Sequence, residues 1–253
     1  GLLRTEGEVH LLTDGKDVVL ALPGVKPESS VTAKAKALLG DPVVGVLLRG
    51  GRQTHSVGRT RLHIDGIDGQ LPVQANALSF AQANAPRNAA LVRHVVGRAR
   101  ADGQRVLELF CGAGNFTRAL ARVARRVWAL DDDREAVNAL RALAEEHRLA
   151  INAKRGQASS WLSRMEKNGS TYDVVVLDPT RRGLGQSEAA SLARVATSRI
   201  VYVSCDPATL ARDLKVLVDK GWAVADVTVF DLMPMTPEVE TVVTLLPKGS
   251  KLT

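Results

Sequence analysis

The sequence contains few cysteines and few aromatic residues. Only two of its 253 residues, Cys111 and Cys205, are cysteines. Two thiols are too few for a disulfide framework or for a zinc or iron–sulfur site held by cysteines. The five histidines show no metal-ligand spacing, so we expect no metal and no iron–sulfur cluster. Aromatic residues make up 4% of the chain, which argues against an extended stacking platform for single-stranded nucleic acid.

Long apolar runs are also missing. No stretch approaches the roughly 18 apolar residues that a membrane span needs, and no signal-peptide pattern opens the sequence. We therefore expect a cytoplasmic protein with no membrane partner, and we expect a monomer. The hydrophobic share of 45% and the charged share of 24% are ordinary for a soluble globular protein. A chain of 253 residues can form one large domain, or one domain with a small companion.

Acidic residues are outnumbered. The formal net charge is +7 and the isoelectric point is near 9.7, which suits a polyanionic partner. Residues 86–126 contain nine arginines, with only Asp102 and Glu108 as acids. Because arginine matches phosphate geometry, this stretch is a candidate face for binding a phosphate backbone. The alternative is a solvated helix surface.

The first 75 residues predict a small α+β domain. Short β-like runs at 9–12, 18–22, 43–48 and 61–67 alternate with turns, and a helix-like run at 31–39 interrupts them. Asp14-Gly15 lies between the first two runs and predicts a hairpin. We expect this domain, residues 1–75, to contact the substrate.

Residues 76–253 predict a catalytic α/β domain. Strands are expected at 106–110, 127–130, 174–177 and 200–203, with helices at 87–101, 116–124, 134–146, 187–196 and 208–220. Repeated βα units indicate a doubly wound, mostly parallel sheet. Two final strands, 223–230 and 241–246, are close in sequence and can pair antiparallel. This combination is the class I methyltransferase variant of the Rossmann-like fold.

The loop after the first of these strands has the composition of a cofactor site. Residues 108–116 read ELFCGAGNF, and glycines let the backbone approach a ligand. The spacing is neither GxGxxG nor a P-loop, which suits a nucleoside cofactor without pyrophosphate. Asp131 ends the next strand, where a carboxylate can bind two ribose hydroxyls. The alternative is a structural turn, with Cys111 a packed residue rather than a nucleophile.

Two further strands end in chemically capable residues. Asp178 ends one strand and is followed by a proline, which indicates a rigid loop. It can orient the substrate base or the cofactor, or it can merely anchor the loop. Cys205 ends the next strand just before a helix, where the helix dipole is expected to lower the thiol pKa. A thiolate there can act as a covalent nucleophile.

These segments together resemble the RNA uracil-C5 methyltransferases. Residues 204–213 (SCDPATLARD) are similar to that family's signature SCNPATLARD, and differ from it only at Asp206. Four other segments resemble family motifs in the right order, over about residues 75–246: 80–84 (FAQAN), 109–116 (LFCGAGNF), 178–181 (DPTR) and 231–240 (DLMPMTPEVE). The sequence of this signature most resembles that of the enzymes that modify 23S rRNA, so rRNA is favoured over tRNA as the substrate.

The resemblance implies a mechanism and a cofactor, S-adenosylmethionine. Cys205 would add to C6 of a uridine, which makes C5 nucleophilic toward the methyl donor, and Glu240 would then remove the C5 proton. The nucleotide must be single-stranded or flipped. Contacts to the cofactor or the target base are implied for Gln82, Phe110, Gly112, Asn115, Asp131 and Asp178.

Three positions depart from the family pattern. Asp131 stands where a glutamate is usual, Asp206 replaces an asparagine, and Glu238 replaces a histidine beside the base. No separate oligonucleotide-binding barrel is evident in the sequence. These departures bear on the choice of RNA more than on the reaction.

Two other functions stay open. RNA cytosine-C5 methyltransferases also use a cysteine at this topological position, but they carry a second cysteine in the Asp-Pro loop, and residues 178–183 contain none. An inactive RNA-binding or assembly protein with the same fold is the other alternative. The presence of the thiol, the base and the cofactor acid argues against it.

Overall fold

The computed structural model describes residues 7–51, 53–64, 71–78, 84–236 and 239–251. By its internal contacts the chain divides into two compact units, residues 1–81 and 82–253. Gln82 and Glu238, both singled out by the sequence, lie outside the described residues. In the described part of the chain, no helix is both long enough and apolar enough to cross a membrane.

The smaller unit is built on a four-stranded sheet. Its elements are β1 (His10–Thr13), β2 (Val18–Pro23), α1 (Ser29–Lys36), β3 (Val43–Gly50) and β4 (Gln53–Gly58), in the sheet order β1-β2-β3-β4. The hairpin predicted at Asp14-Gly15 is confirmed, because β1 and β2 pair antiparallel on either side of it. β2 and β3 are parallel and α1 connects them, whereas β4 returns antiparallel.

Two short strands of this unit form a separate ribbon. β5 (Leu62–Ile64) pairs antiparallel with β6 (Val73–Ala75). β5 lies within the strand predicted at 61–67, of which residues 65–67 lie outside the described residues. β4 was not predicted. β4 is a polar edge strand in which only Val57 is buried, so it lacks the apolar alternation on which the prediction depended.

The larger unit is a seven-stranded sheet with helices on both faces. Its elements are α2 (Ala85–Ala99), β7 (Arg105–Leu109), α3 (Thr117–Leu120), β8 (Arg126–Asp131), α4 (Arg134–Glu146), β9 (Ile151–Arg155), α5 (Ala158–Lys167), β10 (Tyr172–Leu177), α6 (Gln186–Val195), β11 (Ala196–Ser204), α7 (Pro207–Asp219), β12 (Trp222–Phe230) and β13 (Glu240–Pro247).

The sheet order is β12-β13-β11-β10-β7-β8-β9. β11, β10, β7, β8 and β9 are parallel to one another, and β13 is antiparallel to both of its neighbours. The predicted doubly wound, Rossmann-like sheet with an antiparallel last strand is therefore confirmed. Its central strands are mostly apolar and buried, as expected for a parallel sheet that is covered on both faces.

The sequence missed one βα unit of this sheet. β9 and α5 were not predicted, so Asp178 follows the fourth strand of the unit and not the third. β9 is an edge strand with one buried residue, Ala153, and the apolar face of α5 contributes only Leu162 and Met165 to the core. The helix predicted at 116–124 is also shorter than expected and comprises only Thr117–Leu120.

Candidate active site

The predicted site residues meet at one edge of the larger sheet. Phe110 follows β7, Asp131 ends β8, Asp178 follows β10, and Cys205 follows β11. These strands are parallel neighbours, so their carboxyl ends lie at the same edge. Four segments that are far apart in sequence therefore present one acid-rich, thiol-bearing edge.

The loop after β7 is tied to Asp131. The main-chain N–H of Gly112 donates to Oδ2 of Asp131 (2.7 Å), and the N–H of Asp133 donates to its Oδ1 (2.8 Å). Burial raises the pKa of Asp131, although these two hydrogen bonds oppose the shift. At Gly114, which has φ +93°, a Cβ would lie 2.8 Å from a methyl carbon of Leu140. The loop can therefore take this path only with glycine there.

Asn115 links the loop to α2. Its side-chain amide donates to Asn88 Oδ1 (3.0 Å) and accepts from Asn88 Nδ2 (2.9 Å). Asn88 is buried on α2, and the sequence analysis did not identify it. Its position among the apolar residues of a predicted helix could have identified it from the sequence, because a buried asparagine is uncommon. The predicted cofactor contact of Asn115 stays a prediction, because the structure shows its amide engaged with Asn88.

A cleft of about 650 Å³ adjoins this loop. Phe110 and Asp131 from the predicted set line it, whereas Asp178, Cys205 and Glu240 do not. Its other walls come from the start of α5 and from the loop after β10. The lining residues are Phe110, Leu130, Asp131, Asp132, Gly156, Gln157, Ala158, Ser159, Thr180, Arg182, Gly183, Leu184, Gly185, Glu188, Thr209 and Arg212. The volume is large enough for a nucleoside-sized ligand.

Cys205 and Glu240 adjoin the same end of a ladder. In the antiparallel pairing of β11 with β13, Ser204 opposes Thr241. Cys205 follows Ser204 and Glu240 precedes Thr241, so the two residues are the next positions beyond that pair. Cys205 is half-buried and Glu240 is 8% exposed. The arrangement brings a thiol and a carboxylate together from segments that are 35 positions apart.

The predicted direction of the Cys205 pKa shift is wrong. Burial raises the pKa of the thiol, the charges of Glu240 and Asp178 raise it further, and only Arg181 and a main-chain hydrogen bond lower it. The position of Cys205 before a helix is visible in the sequence, whereas the carboxylates that raise its pKa come close only in the fold. Burial, with the charge of Glu240, also raises the pKa of Asp178 to about 8. The raised pKa of Cys205 favours the thiol over the thiolate.

The Asp206 departure preserves the turn that carries Cys205. Asp206 caps α7, and its Oδ1 accepts from the N–H of Thr209 (2.8 Å). The Ser204 hydroxyl accepts from the N–H of Asp206 (3.2 Å) and donates to its carbonyl (3.1 Å). Aspartate and asparagine are equally good caps. The substitution therefore leaves the local geometry of the signature intact.

Cys111 is confirmed as a packed thiol. It is 3% exposed, and burial raises its pKa well above the usual value. Among the described residues, no group of three His, Cys, Asp or Glu side chains is arranged to hold a metal ion.

At least three of the nine arginines of residues 86–126 are engaged within the chain. Arg118 is buried, and its Nε donates to the carbonyl of Gly114 (3.0 Å). The guanidinium of Arg105 lies over the ring of Trp128, with its carbon 5.4 Å from the ring centroid. Arg98 pairs with an aspartate of β12 (2.9 Å). Whether this stretch binds a phosphate backbone or is a solvated helix surface stays a prediction.

Glu108 is a buried acid that the sequence analysis gave no role. It is 1% exposed. Thr117 lies beside it, yet within the described part of the chain neither carboxylate oxygen has a hydrogen-bond partner of normal geometry. Burial raises its pKa from an ordinary 4.5 to about 8. An acid in this state is neutral at physiological pH and becomes costly once it ionises.

Glu108 is expected to make stability fall as pH rises. Its folded pKa exceeds its unfolded pKa, so the folded chain binds the proton more tightly, and its contribution is lost between about pH 4.5 and pH 8. The full effect is about 5 kcal/mol. Urea unfolding of the Glu108→Gln variant from pH 5 to pH 9 should show a flatter pH profile than the wild type. Parallel profiles would contradict the assignment.

The order and directions of the strands in the larger sheet are those of the class I S-adenosylmethionine-dependent methyltransferase fold. Residues 59–248 match the sequence model of the tRNA (Uracil-5-)-methyltransferase family. The chain belongs to this family.

Individual relatives agree with this assignment. The chain is 36% identical over 211 residues to an uncharacterised RNA methyltransferase of Thermotoga maritima, which covers 81% of this chain and 46% of that protein. It is 38% identical over 164 residues to a 23S rRNA (uracil(1939)-C(5))-methyltransferase of Pseudomonas entomophila, covering 64% and 36%. The chain thus spans less than half the length of these curated relatives.

Solved structures share the fold. The tRNA (uracil-54, C5)-methyltransferase of Pyrococcus abyssi, in complex with S-adenosyl-L-homocysteine, superposes with a TM-score of 0.70 at 24% identity, over 91% of this chain and 56% of that one. A tRNA m1G37 methyltransferase of M. jannaschii superposes with a TM-score of 0.60 at 15% identity, over 95% and 77%.

Proposed function

We propose that this chain methylates C5 of a uridine in RNA through a covalent bond between Cys205 and C6 of the base. The observation that carries the proposal is the position of Cys205 and Glu240 at the end of the β11–β13 ladder. Each residue alone is unremarkable, but a nucleophile and a base on adjoining strands are what this reaction needs. The curated relative that is a 23S rRNA (uracil(1939)-C(5))-methyltransferase supports the same substrate class.

The residues around the cleft fit S-adenosylmethionine. Asp131 lines the cleft with its carboxylate fixed by two main-chain N–H groups, a suitable partner for ribose hydroxyls. The buried acids Glu108 and Asp178 lie near the same edge, and a ligand with a positive charge would oppose the burial that raises the pKa of each. Phe110, Gly112, Asn115, Asp178 and Gln82 complete the set that we propose contacts the cofactor. When bound, the cofactor supplies an electrophilic methyl group on a sulfonium.

The chain's own residues account for the remaining steps. The Cys205 thiol releases its proton to solvent and its sulfur bonds to C6. The electrons of the C5–C6 double bond then leave negative charge at C5. Once C5 carries the methyl group it still holds its original hydrogen, and Glu240 takes that proton. The bond between sulfur and C6 then breaks and the thiolate is restored. Each step needs the base outside a helix, so the substrate is a single-stranded or flipped nucleotide.

Ribosomal RNA is our proposed substrate, in preference to tRNA. Support comes from the signature at residues 204–213 and from the relative that acts on 23S rRNA. We also propose that residues 1–75 contact the RNA. The family is described by a tRNA reaction, so both RNA classes belong in the test.

Labelled methyl transfer to unmodified RNA tests the proposed function. The chain is incubated with methyl-labelled S-adenosylmethionine and with 23S rRNA or tRNA transcripts, and digested nucleosides are identified by mass spectrometry. We expect 5-methyluridine in the rRNA. Label in 5-methylcytidine would favour the cytosine-C5 alternative, and binding to RNA without transfer would favour the inactive RNA-binding protein.

A further inference from the structure

The loop after Asp178 forms one wall of the cleft. We call residues 180–185 the cleft loop. All but one of its residues line the cleft, namely Thr180, Arg182, Gly183, Leu184 and Gly185. The path of this main chain therefore sets the shape of the space that we assign to the cofactor.

Side chains of α7 hold the cleft loop by its main chain. Asp213 accepts hydrogen bonds from the N–H groups of Leu184 (Oδ2, 2.7 Å) and Gly185 (Oδ1, 3.2 Å). The Arg212 guanidinium donates to the carbonyl of residue 182 (2.8 Å), and the Thr209 hydroxyl donates to the carbonyl of residue 181 (2.9 Å). Thr209 and Asp213 are four positions apart and so share one face of the helix. Four hydrogen bonds thus fix the loop from a single helix.

Asp213 is the centre of this arrangement. It is fully buried, and besides the two loop amides it accepts from the Tyr202 hydroxyl (2.8 Å) and pairs with Arg212 (2.9 Å). A buried carboxylate with this many donors has all of its hydrogen-bonding capacity used. Removing it leaves several buried donors without an acceptor.

The main chain of the cleft loop at Gly183 lies in close contact with the carboxylate of Asp213. A Cβ at Gly183 would lie 2.4 Å from Oδ2 of Asp213, and the residue has φ +65°. Only glycine permits both this conformation and this approach. The hydrogen bonds from α7 and the close contact at Gly183 therefore both fix the distance between the cleft loop and α7.

We infer that Thr209, Arg212 and Asp213 are positioning residues that hold the cleft loop at a fixed distance from Cys205 and thereby set the affinity for the methyl donor. The inference rests on the proposed function, because it takes the cleft as the cofactor site. α7 is the connection between the two: its capped amino end follows Cys205 directly, and its next turn holds the loop. Loosening the loop would therefore widen the donor site without changing the thiol or the base.

Binding of S-adenosylmethionine and of S-adenosylhomocysteine without RNA tests the inference. Asp213→Asn removes one acceptor, and Gly183→Ala strains the same contact from the loop side. Thr209→Val removes the hydroxyl, whereas Thr209→Ser retains it. We expect Kd for both ligands to rise roughly tenfold in Asp213→Asn, Gly183→Ala and Thr209→Val, and Thr209→Ser to restore near wild-type binding. In turnover, KM for the donor should rise with KM for RNA unchanged.

Glu166→Gln is the matched control. Glu166 also joins two helices through a carboxylate, with Ser191 (2.6 Å) and Arg194 (2.6 Å) as its partners, but it does not line the cleft. Circular dichroism establishes that each variant is folded. If Asp213→Asn does not fold, the inference is tested by comparing the Kd values of Thr209→Val and Thr209→Ser. Native variants that bind both ligands as tightly as the wild type would overturn the inference alone, whereas a wild type that binds neither ligand would overturn the proposed function.

Discussion

Cys205→Ala is expected to abolish methyl transfer to RNA, with a loss on the order of 10⁴-fold or more. The thiol is the group that makes C5 of uracil nucleophilic, and no neighbouring side chain can replace it. Binding of S-adenosylmethionine should be retained, because Cys205 does not line the cleft. The measurement is initial-rate transfer of labelled methyl groups to unmodified 23S rRNA, with donor affinity determined in parallel by calorimetry.

Cys111→Ala is the control for this result. Cys111 is a buried residue of the loop after β7, so its removal should lower stability slightly and leave the chemistry in place. RNA containing 5-fluorouridine gives a second readout, because fluorine cannot leave C5 as a proton does and the covalent adduct persists. Peptide mass spectrometry should locate the adduct on Cys205. Transfer that survives Cys205→Ala, or an adduct on Cys111, would refute covalent catalysis by Cys205.

The edge on which the site lies could be predicted from the sequence. Asp131, Asp178 and Cys205 each end an apolar run, and parallel strands place such ends together. Glu240 was predicted only through its resemblance to a family motif, since nothing in its local pattern distinguishes a base from a solvated glutamate. In the structure, the antiparallel pairing of β11 with β13 positions Glu240 beside Cys205.

Features that depend on distant contacts could not be predicted. The raised pKa of Cys205 arises from burial and from carboxylates at positions 178 and 240, and no local rule reports their proximity. The role of Asp213 was hidden for a related reason: two of its partners are main-chain N–H groups of the cleft loop, which carry no sequence signal. The polar edge strands β4 and β9 were missed because their periodicity is weak.

Glu240→Gln is expected to separate formation of the covalent adduct from its resolution. Glutamine is close in shape but cannot accept the C5 proton, so turnover should fall roughly 10²- to 10⁴-fold. The charge of Glu240 also raises the pKa of the Cys205 thiol, so its removal lowers that pKa and favours attack on C6. The methylated adduct should therefore accumulate on normal uridine, and denaturing electrophoresis of the RNA–protein complex would detect it without any fluorinated substrate.

The companion variant Glu238→Gln tests which acid is the base. Glu238 is the neighbouring carboxylate in the closing motif and stands where the family pattern has a histidine. If Glu240 is the base, Glu238→Gln turns over without a trapped adduct, and only Glu240→Gln traps it. Accumulation in Glu238→Gln instead would move the assignment by two residues. Loss of turnover in Glu240→Gln with no adduct at any pH would show that the carboxylate acts before attack on C6. The acid beside the thiol would then be the group that deprotonates Cys205.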